Sequence, residues 1–249
     1  MEKPKRKQKI IHVNDKTIVF KQKGKVLAAY IPDLKLDDDF MNNLESVPFS
    51  RVKYISPYQK INTTPRYTWA YGKVKNQDDI VKYKGLNFVA EIMPDWLNNL
   101  CLQMRNISKT KFGFDPEYNS AIIGRYNNGN DQIGFHFDTE TFLEHHFCAN
   151  VTIGSARDFQ FRTYNAKNEK CTHEIKLDDK SVFFFLGLEH ALPKRVGVKE
   201  GQIRYSISFR NMKNNIGIGN SYYYCRGIEG AINDEDKEKY LIKMQKISK

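Results

Sequence analysis

The most constraining feature of the sequence is the texture of its second half, where from Asn119 onward short strand patterns follow one another at close intervals. AIIGRY, QIGFHFD, NVTIGS, DFQFRTY, CTHEIKL, SVFFFLG and RYSISFR are rich in β-branched and aromatic residues and are broken by turns. Strands so short and so regularly spaced predict a β-sandwich or jelly roll. The unbroken apolar run of SVFFFLG suits a central strand buried on both faces.

The first half reads differently. TIVF and KVLAAY, on either side of a Lys-Gly turn, predict a strand pair over residues 17–30. IPDLKLDDDFMNNLESV predicts a turn and a short helix, with Leu36, Phe40 and Leu44 at helical spacing and acids at its start. Residues 49–71 alternate aromatic, basic and small polar residues, which suggests irregular hairpins. PDWLNNLCLQMRNISK predicts a second helix whose Trp96, Leu97, Leu100 and Met104 form one apolar stripe. Past Arg210 a Gly/Asn-rich loop precedes a charged helical stretch over 234–246. The chain thus divides into a basic tail (1–16), an N-terminal supporting region (17–118), a β core (119–212) and a C-terminal extension (213–249).

Composition narrows the partners. With 40% hydrophobic residues the chain can bury a core, and 40 Lys+Arg against 29 Asp+Glu leave a net charge of +11. Such a surface attracts polyanions, nucleic acid first among them. No apolar run approaches the ~20 residues needed to span a bilayer, and MEKPKRKQKI lacks the apolar stretch of a secretory signal. Cys101, Cys148, Cys171 and Cys225 form no CxxC pair, which leaves a disulfide framework or cysteine zinc site without support. The expectation is a reduced, intracellular protein, nuclear or cytoplasmic, away from membranes and with nothing to oblige more than a monomer.

One constellation carries chemistry. In GFHFD, strand alternation turns His136 and Asp138 to one face and Phe135 and Phe137 to the other. An imidazole and a carboxylate so spaced can share a metal, although HxD alone is common by chance. A second histidine must come from elsewhere, and His190, in LEHALP just after a buried strand, is best placed. His145 and His146 in a polar EHH loop, His173 in THE and His12 in the basic tail are the rivals. Two histidines and a carboxylate make the facial triad of non-haem Fe(II) oxygenases, which leaves positions open for co-substrate and dioxygen. In RYSISFR, Arg204, Ser206, Ser208 and Arg210 share a face. Arginines turned inward need an anion, and their planar fork suits carboxylates, so this face suggests a dicarboxylate unless the strand is a solvated edge.

The order His136-Phe137-Asp138, His190, Arg204…Arg210 resembles the AlkB-type Fe(II)/2-oxoglutarate dioxygenases. TPRYTWAYG (64–72), RYNNGNDQIGFHFD (125–138), GSARDFQFR (154–162) and HALPKR (190–195) are similar to stretches in the eukaryotic DNA-repair members, and the likeness spans roughly residues 50–212. The resemblance implies an α+β, mainly β fold: a double-stranded β-helix core with supporting helices and an N-terminal nucleotide-recognition lid. It implies Fe(II) on His136, Asp138 and His190, with dioxygen and 2-oxoglutarate as co-substrates. The carboxylates of 2-oxoglutarate would meet Arg204, Arg210 and the Tyr126 hydroxyl. Two positions depart from the family pattern, Gly124 and Ser206, where many members place asparagines that contact 2-oxoglutarate. The loss of those contacts predicts weakened co-substrate affinity.

The implied activity is oxidative removal of N-methyl groups from bases such as 1-methyladenine and 3-methylcytosine, in DNA rather than RNA. A base within a duplex must be flipped out or already single-stranded to reach such a site. Residues 49–71 interleave Arg51, Lys53, Lys60 and Arg66 with Phe49, Tyr54, Tyr58, Tyr67, Trp69 and Tyr71, a mixture suited to stacking bases and meeting phosphates. By position Tyr54 is the candidate wedge for the vacated base. Arg66 and Tyr71 join it as substrate candidates, although half of these aromatics, Trp69 first, are expected to pack underneath. Glu140 matches an acidic position near the substrate base and would favour a cationic lesion, and Lys194 and Arg195 correspond to contacts with DNA backbone. Asp158 in ARDF matches the family without a derivable role. Competing readings are an RNA demethylase or protein hydroxylase on the same scaffold, or a nucleic-acid-binding module without turnover.

Overall fold

The computed structural model describes residues 10–13, 17–22, 25–51, 53–55, 61–72, 80–83, 86–89, 91–138, 143–164, 169–195 and 201–212. Strands β1 (Ile10–Val13), β2 (Thr17–Gln22) and β3 (Lys25–Ile31) form an antiparallel run, so the sheet begins inside the stretch expected to be tail. Helix α1 (Phe40–Glu45) buries Phe40 and Leu44. Leu36 packs against the same core but lies before the helix. Three consecutive aspartates, 37–39, explain the late start, because Asp favours turns and caps over helix interiors.

Next come the hairpin of β4 (Lys53–Ile55) with β5 (Ile61–Thr63), then β6 (Tyr67–Gly72), the hairpin of β7 (Ile80–Tyr83) with β8 (Leu86–Val89), and the short β9 (Glu91–Ile92). Only part of 49–71 is thus hairpin, because β6 joins the main sheet beside β10 (Ser120–Tyr126). Helix α2 (Asp95–Phe112) buries Leu97, Leu100, Cys101 and Met104, while Trp96 packs edge-on against Phe40 at 5.2 Å. It stops at Gly113, whose left-handed φ of +68° lets its N–H reach back to the Lys109 carbonyl.

The second half winds between two sheets. Strands β11 (Ile133–His136), β12 (Leu143–Gly154), β13 (Arg157–Tyr164), β14 (Lys170–Leu177), β15 (Ser181–Leu186), β16 (Glu189–Leu192) and β17 (Arg204–Met212) follow β10. Strands β15-β12-β17-β10 are neighbours in a nine-stranded sheet, and β11-β16-β13-β14 make a four-stranded one. Eight strands alternating in this order are a double-stranded β-helix, the jelly roll expected from the sequence. The eighth, β16, was not visible as a strand, because EHAL has no period-two pattern and its pairing with β11 and β13 makes it one.

Two cores follow. Outside the large sheet, Ala121, Ile123, Val151, Ile207 and Phe209 pack with the helices' Leu44, Leu97 and Met104. Between the sheets, Phe159, Phe161, Phe183 and Phe185 pack with Leu177 and Leu192. Phe184 joins the first core and its neighbours the second, so SVFFF is buried on both faces and only the terminal Leu186 is exposed. Among the described residues no helix is long and apolar enough to cross a membrane.

Candidate active site

Strand alternation on β17 sends Tyr205, Ile207 and Phe209 to the helix-side core and leaves Arg204, Ser206, Ser208 and Arg210 facing the space between the sheets. There they line a cleft with Gly124, Tyr126, His136, Asn150, His190 and Arg66. Arginines on such a face are unusual because burying a guanidinium is expensive unless it finds an anion.

His136 at the end of β11 and His190 on β16 stand opposite each other across the strand pair, with ring centroids 4.2 Å apart. Asp138 follows β11 by two residues, and one ligand atom from each of the three lies within 4.8 Å of the others. Each histidine Nδ1 is 2.8 Å from a backbone carbonyl two residues back, Gly134 O for His136 and Leu188 O for His190. A carbonyl only accepts, so each Nδ1 carries the proton and each Nε2 presents a lone pair. Those Nε2 atoms sit 3.8 Å and 3.7 Å from the two Asp138 oxygens. Burial pushes the Asp138 carboxyl up, but Arg210, then His190 and His136, outweigh it and hold the group well below the usual carboxylate range. Two imidazoles, which give up any Nε2 proton when they ligate, and one ionised carboxylate fit a divalent cation, Fe(II) above all.

The two arginines have different neighbours. Arg210 donates from Nε (3.1 Å) and Nη2 (2.7 Å) to the same Asp138 oxygen, so it braces the proposed metal end. Six residues of strand separate it from Arg204, roughly 20 Å between Cα atoms. Arg204 is 1% exposed, donates to Thr152 Oγ1 at 2.9 Å and faces the Tyr126 ring at 5.2 Å. Its Nε has no partner, and no acid among the described residues pairs with it. Burial lowers its pKa to about 10, which still leaves it charged at neutral pH. A buried, charged, under-bonded guanidinium fits the carboxylate of a dicarboxylic acid.

Gly124 and Ser206 also have a physical reading. A Cβ on Gly124 would lie 3.3 Å from Arg66 Nε and 3.3 Å from the Tyr126 ring, so Arg66 occupies the space a side chain there would need. Arg66 therefore lines the cleft rather than its exterior. Beside Ser206 an amide enters from the neighbouring strand, where Asn150 Nδ2 donates to Ser206 Oγ at 3.0 Å.

Other expected residues divide. Tyr71 is 7% exposed and packs in the helix-side core with Trp69, because alternation along β6 turns both away from the cleft. It has no surface to offer a substrate. Arg51 spends its charge on buried Asp131 at 2.7 Å and lies over the Tyr67 ring. Lys194 is exposed, whereas Arg195 donates to the Ala156 carbonyl at 3.0 Å and lies 3.9 Å from Asp158, which gives Asp158 its partner. His173 is half-buried, where it stacks on Phe161 and bonds Thr163, and it stays apart from the triad. The Tyr54 side chain, Glu140, the side chains of His145 and His146, and residues 213–249 lie outside the described residues.

Sequence reasoning missed Asn150, Thr152 and Arg157. Arg157, 1% exposed, donates to the carbonyls of Asn128, Asp131 and Pro193 and so ties the loop after β10 to the end of β16. For Asn150 and Thr152 the signal was present: in NVTIG the polar residues alternate with apolar ones.

The family described as the 2OG-Fe(II) oxygenase superfamily matches residues 25–194. An uncharacterized protein, R406, of Acanthamoeba polyphaga mimivirus is 31% identical over 105 residues, 40% of this chain and 53% of that protein. The chain thus spans about half the length of this curated relative. Among solved structures, OsALKBH1 aligns with a TM-score of 0.49 at 14% identity, over 74% of this chain and 96% of that one. A 2OG-Fe(II) oxygenase family oxidoreductase from Burkholderia pseudomallei aligns with a TM-score of 0.49 at 15% identity, over 75% and 87%.

Proposed function

We propose that this chain, which belongs to the 2OG-Fe(II) oxygenase superfamily, is an AlkB-type enzyme that removes N-linked methyl groups from nucleic-acid bases, DNA before RNA. Its cofactors are those of the family, Fe(II), 2-oxoglutarate and dioxygen. Together they supply hydroxylation of a C–H bond, one oxygen atom going to the substrate and the other to succinate as 2-oxoglutarate loses carbon dioxide. On an N-methyl group the product is a hydroxymethyl amine, which falls apart to formaldehyde and the free N–H.

The residues take the following parts. His136 and His190 offer Nε2 lone pairs, fixed by their carbonyl-bound Nδ1 protons, and Asp138 adds the single negative charge. Arg210 keeps that carboxylate oriented and ionised. Arg204, braced by Thr152, and Tyr126 would hold a carboxylate of 2-oxoglutarate, and Ser206 lies on the same cleft wall. Aromatic walls, Phe159 and Phe185 against His190, keep the site dry.

The observation that carries the nucleic-acid reading is the ordered likeness of residues 50–212 to repair-type AlkB proteins, supported by the +11 charge. Lys194 and Arg195 remain candidates for phosphate, Tyr54 for the wedge and Glu140 for a cationic base. The test is mass spectrometry of single-stranded DNA, duplex DNA, RNA and a methylated peptide after incubation with Fe(II), ascorbate and 2-oxoglutarate. Methyl loss is expected from 1-methyladenine or 3-methylcytosine, most in single-stranded DNA. Turnover of RNA or peptide alone would replace this substrate assignment.

A further inference from the structure

On β12, Cys148, Asn150 and Thr152 face the space between the sheets while Ala149, Val151 and Ile153 face the helix-side core. Asn150 is 6% exposed and stands opposite Ser208 in the β12–β17 register. Its Nδ2 donates to Ser206 Oγ at 3.0 Å and to Ser208 Oγ at 2.9 Å, which uses both of its N–H groups. Ser206 Oγ donates back to Asn150 Oδ1 at 3.3 Å, a long and weak return. One amide thus grips both hydroxyls that lie between Arg204 and Arg210.

A serine hydroxyl has one proton and two lone pairs. Each bond accepted from Asn150 fills a lone pair and leaves the proton to be given elsewhere. For Ser208 the described residues provide no acceptor, and for Ser206 only the long return to Oδ1. The wall of the cleft therefore carries hydroxyl donors that seek an oxygen-rich guest. We infer that Asn150 is a positioning residue for the co-substrate: its amide turns Ser206 and Ser208 into donors aimed at 2-oxoglutarate. The inference rests on the reading of this cleft as the 2-oxoglutarate site. It also means that a serine at 206 need not cost affinity, since an amide reaches the same wall from the adjacent strand.

Calorimetric binding of 2-oxoglutarate to the Mn(II)-loaded full chain tests it without turnover. Asn150→Ser should weaken binding about tenfold, the size of one hydrogen bond to a charged group. Asn150→Asp, which keeps the shape but turns donors into acceptors and adds a like charge, should weaken it further. The exchange Asn150→Ser with Ser206→Asn returns an amide to the wall from the other strand and should bind better than Asn150→Ser alone. Mn(II) affinity should stay within about threefold of wild type throughout. Wild-type 2-oxoglutarate affinity in Asn150→Ser and Asn150→Asp overturns the inference, as does joint loss of Mn(II) and 2-oxoglutarate, which makes Asn150 scaffold. If wild type binds no 2-oxoglutarate, or Arg204→Leu binds like wild type, the reading of the cleft itself falls and the inference with it.

Discussion

Arg204 is a cation in the protein interior whose Nε has no hydrogen-bond partner, held by one threonine hydroxyl and an aromatic face. The folding energy lost to that arrangement is recovered only if an anion arrives. Arg204→Leu should therefore lower 2-oxoglutarate affinity about 10- to 100-fold, the worth of hydrogen bonds to a charged group, and leave the fold no less stable. Calorimetry and a denaturation curve on the same protein check both halves. Cys148 shows the other side of this environment. Burial pushes its thiol up to about 12, against the opposing pull of Arg210. At pH 8 it should resist iodoacetamide in the folded protein while half-exposed Cys171 reacts, which peptide mass spectrometry would resolve.

Among the elements, β6, β10 and β17 share one rule: alternate residues face the helices or the cleft. On β6 that rule makes Tyr71 a core residue, so Tyr71→Ala should cost about 3 kcal/mol of stability in urea unfolding. At the end of β12, Gly154 has φ +85° and a Cβ there would lie 2.5 Å from the Ile203 carbonyl oxygen. Gly154→Ala should cost about 1–3 kcal/mol. Because Gly154 pairs with Arg204, the same change should weaken 2-oxoglutarate binding, measurable beside the unfolding. This rule was legible in RYSISFR, where arginine and serine alternate with apolar residues, and in QIGFHFD, where the ligands alternate with phenylalanines. It failed where long-range pairing overrode local pattern. EHAL becomes a strand only between β11 and β13, and the aromatic-basic texture of 49–71 hid that β6 joins the main sheet beside β10. The inward turn of Asn150 was legible in NVTIG, but its partners depend on register with β17, which no single strand discloses.

For the whole molecule, the net charge of +11 is not spread evenly over function. Arg51, Arg157, Arg162 and Arg210 are held by Asp131, backbone carbonyls, Glu189 and Asp138, and Arg204 is buried in the cleft. The positive field left at the surface is then mostly lysine. Affinity for single-stranded DNA should fall linearly in log–log plots against salt, with each phosphate contact adding about 0.7 to the slope. Arg51→Ala should leave that slope unchanged and lower stability instead. In the proposed function, His136, Asp138 and His190 form the centre of a 2-oxoglutarate-dependent demethylase. Its most direct measurement is succinate formed from 2-oxoglutarate by the Fe(II)-loaded chain with 1-methyladenine DNA, beside Asp138→Ala. The expected result is succinate and formaldehyde in step from wild type and neither from the variant. Wild type that forms no more succinate than Asp138→Ala would contradict it.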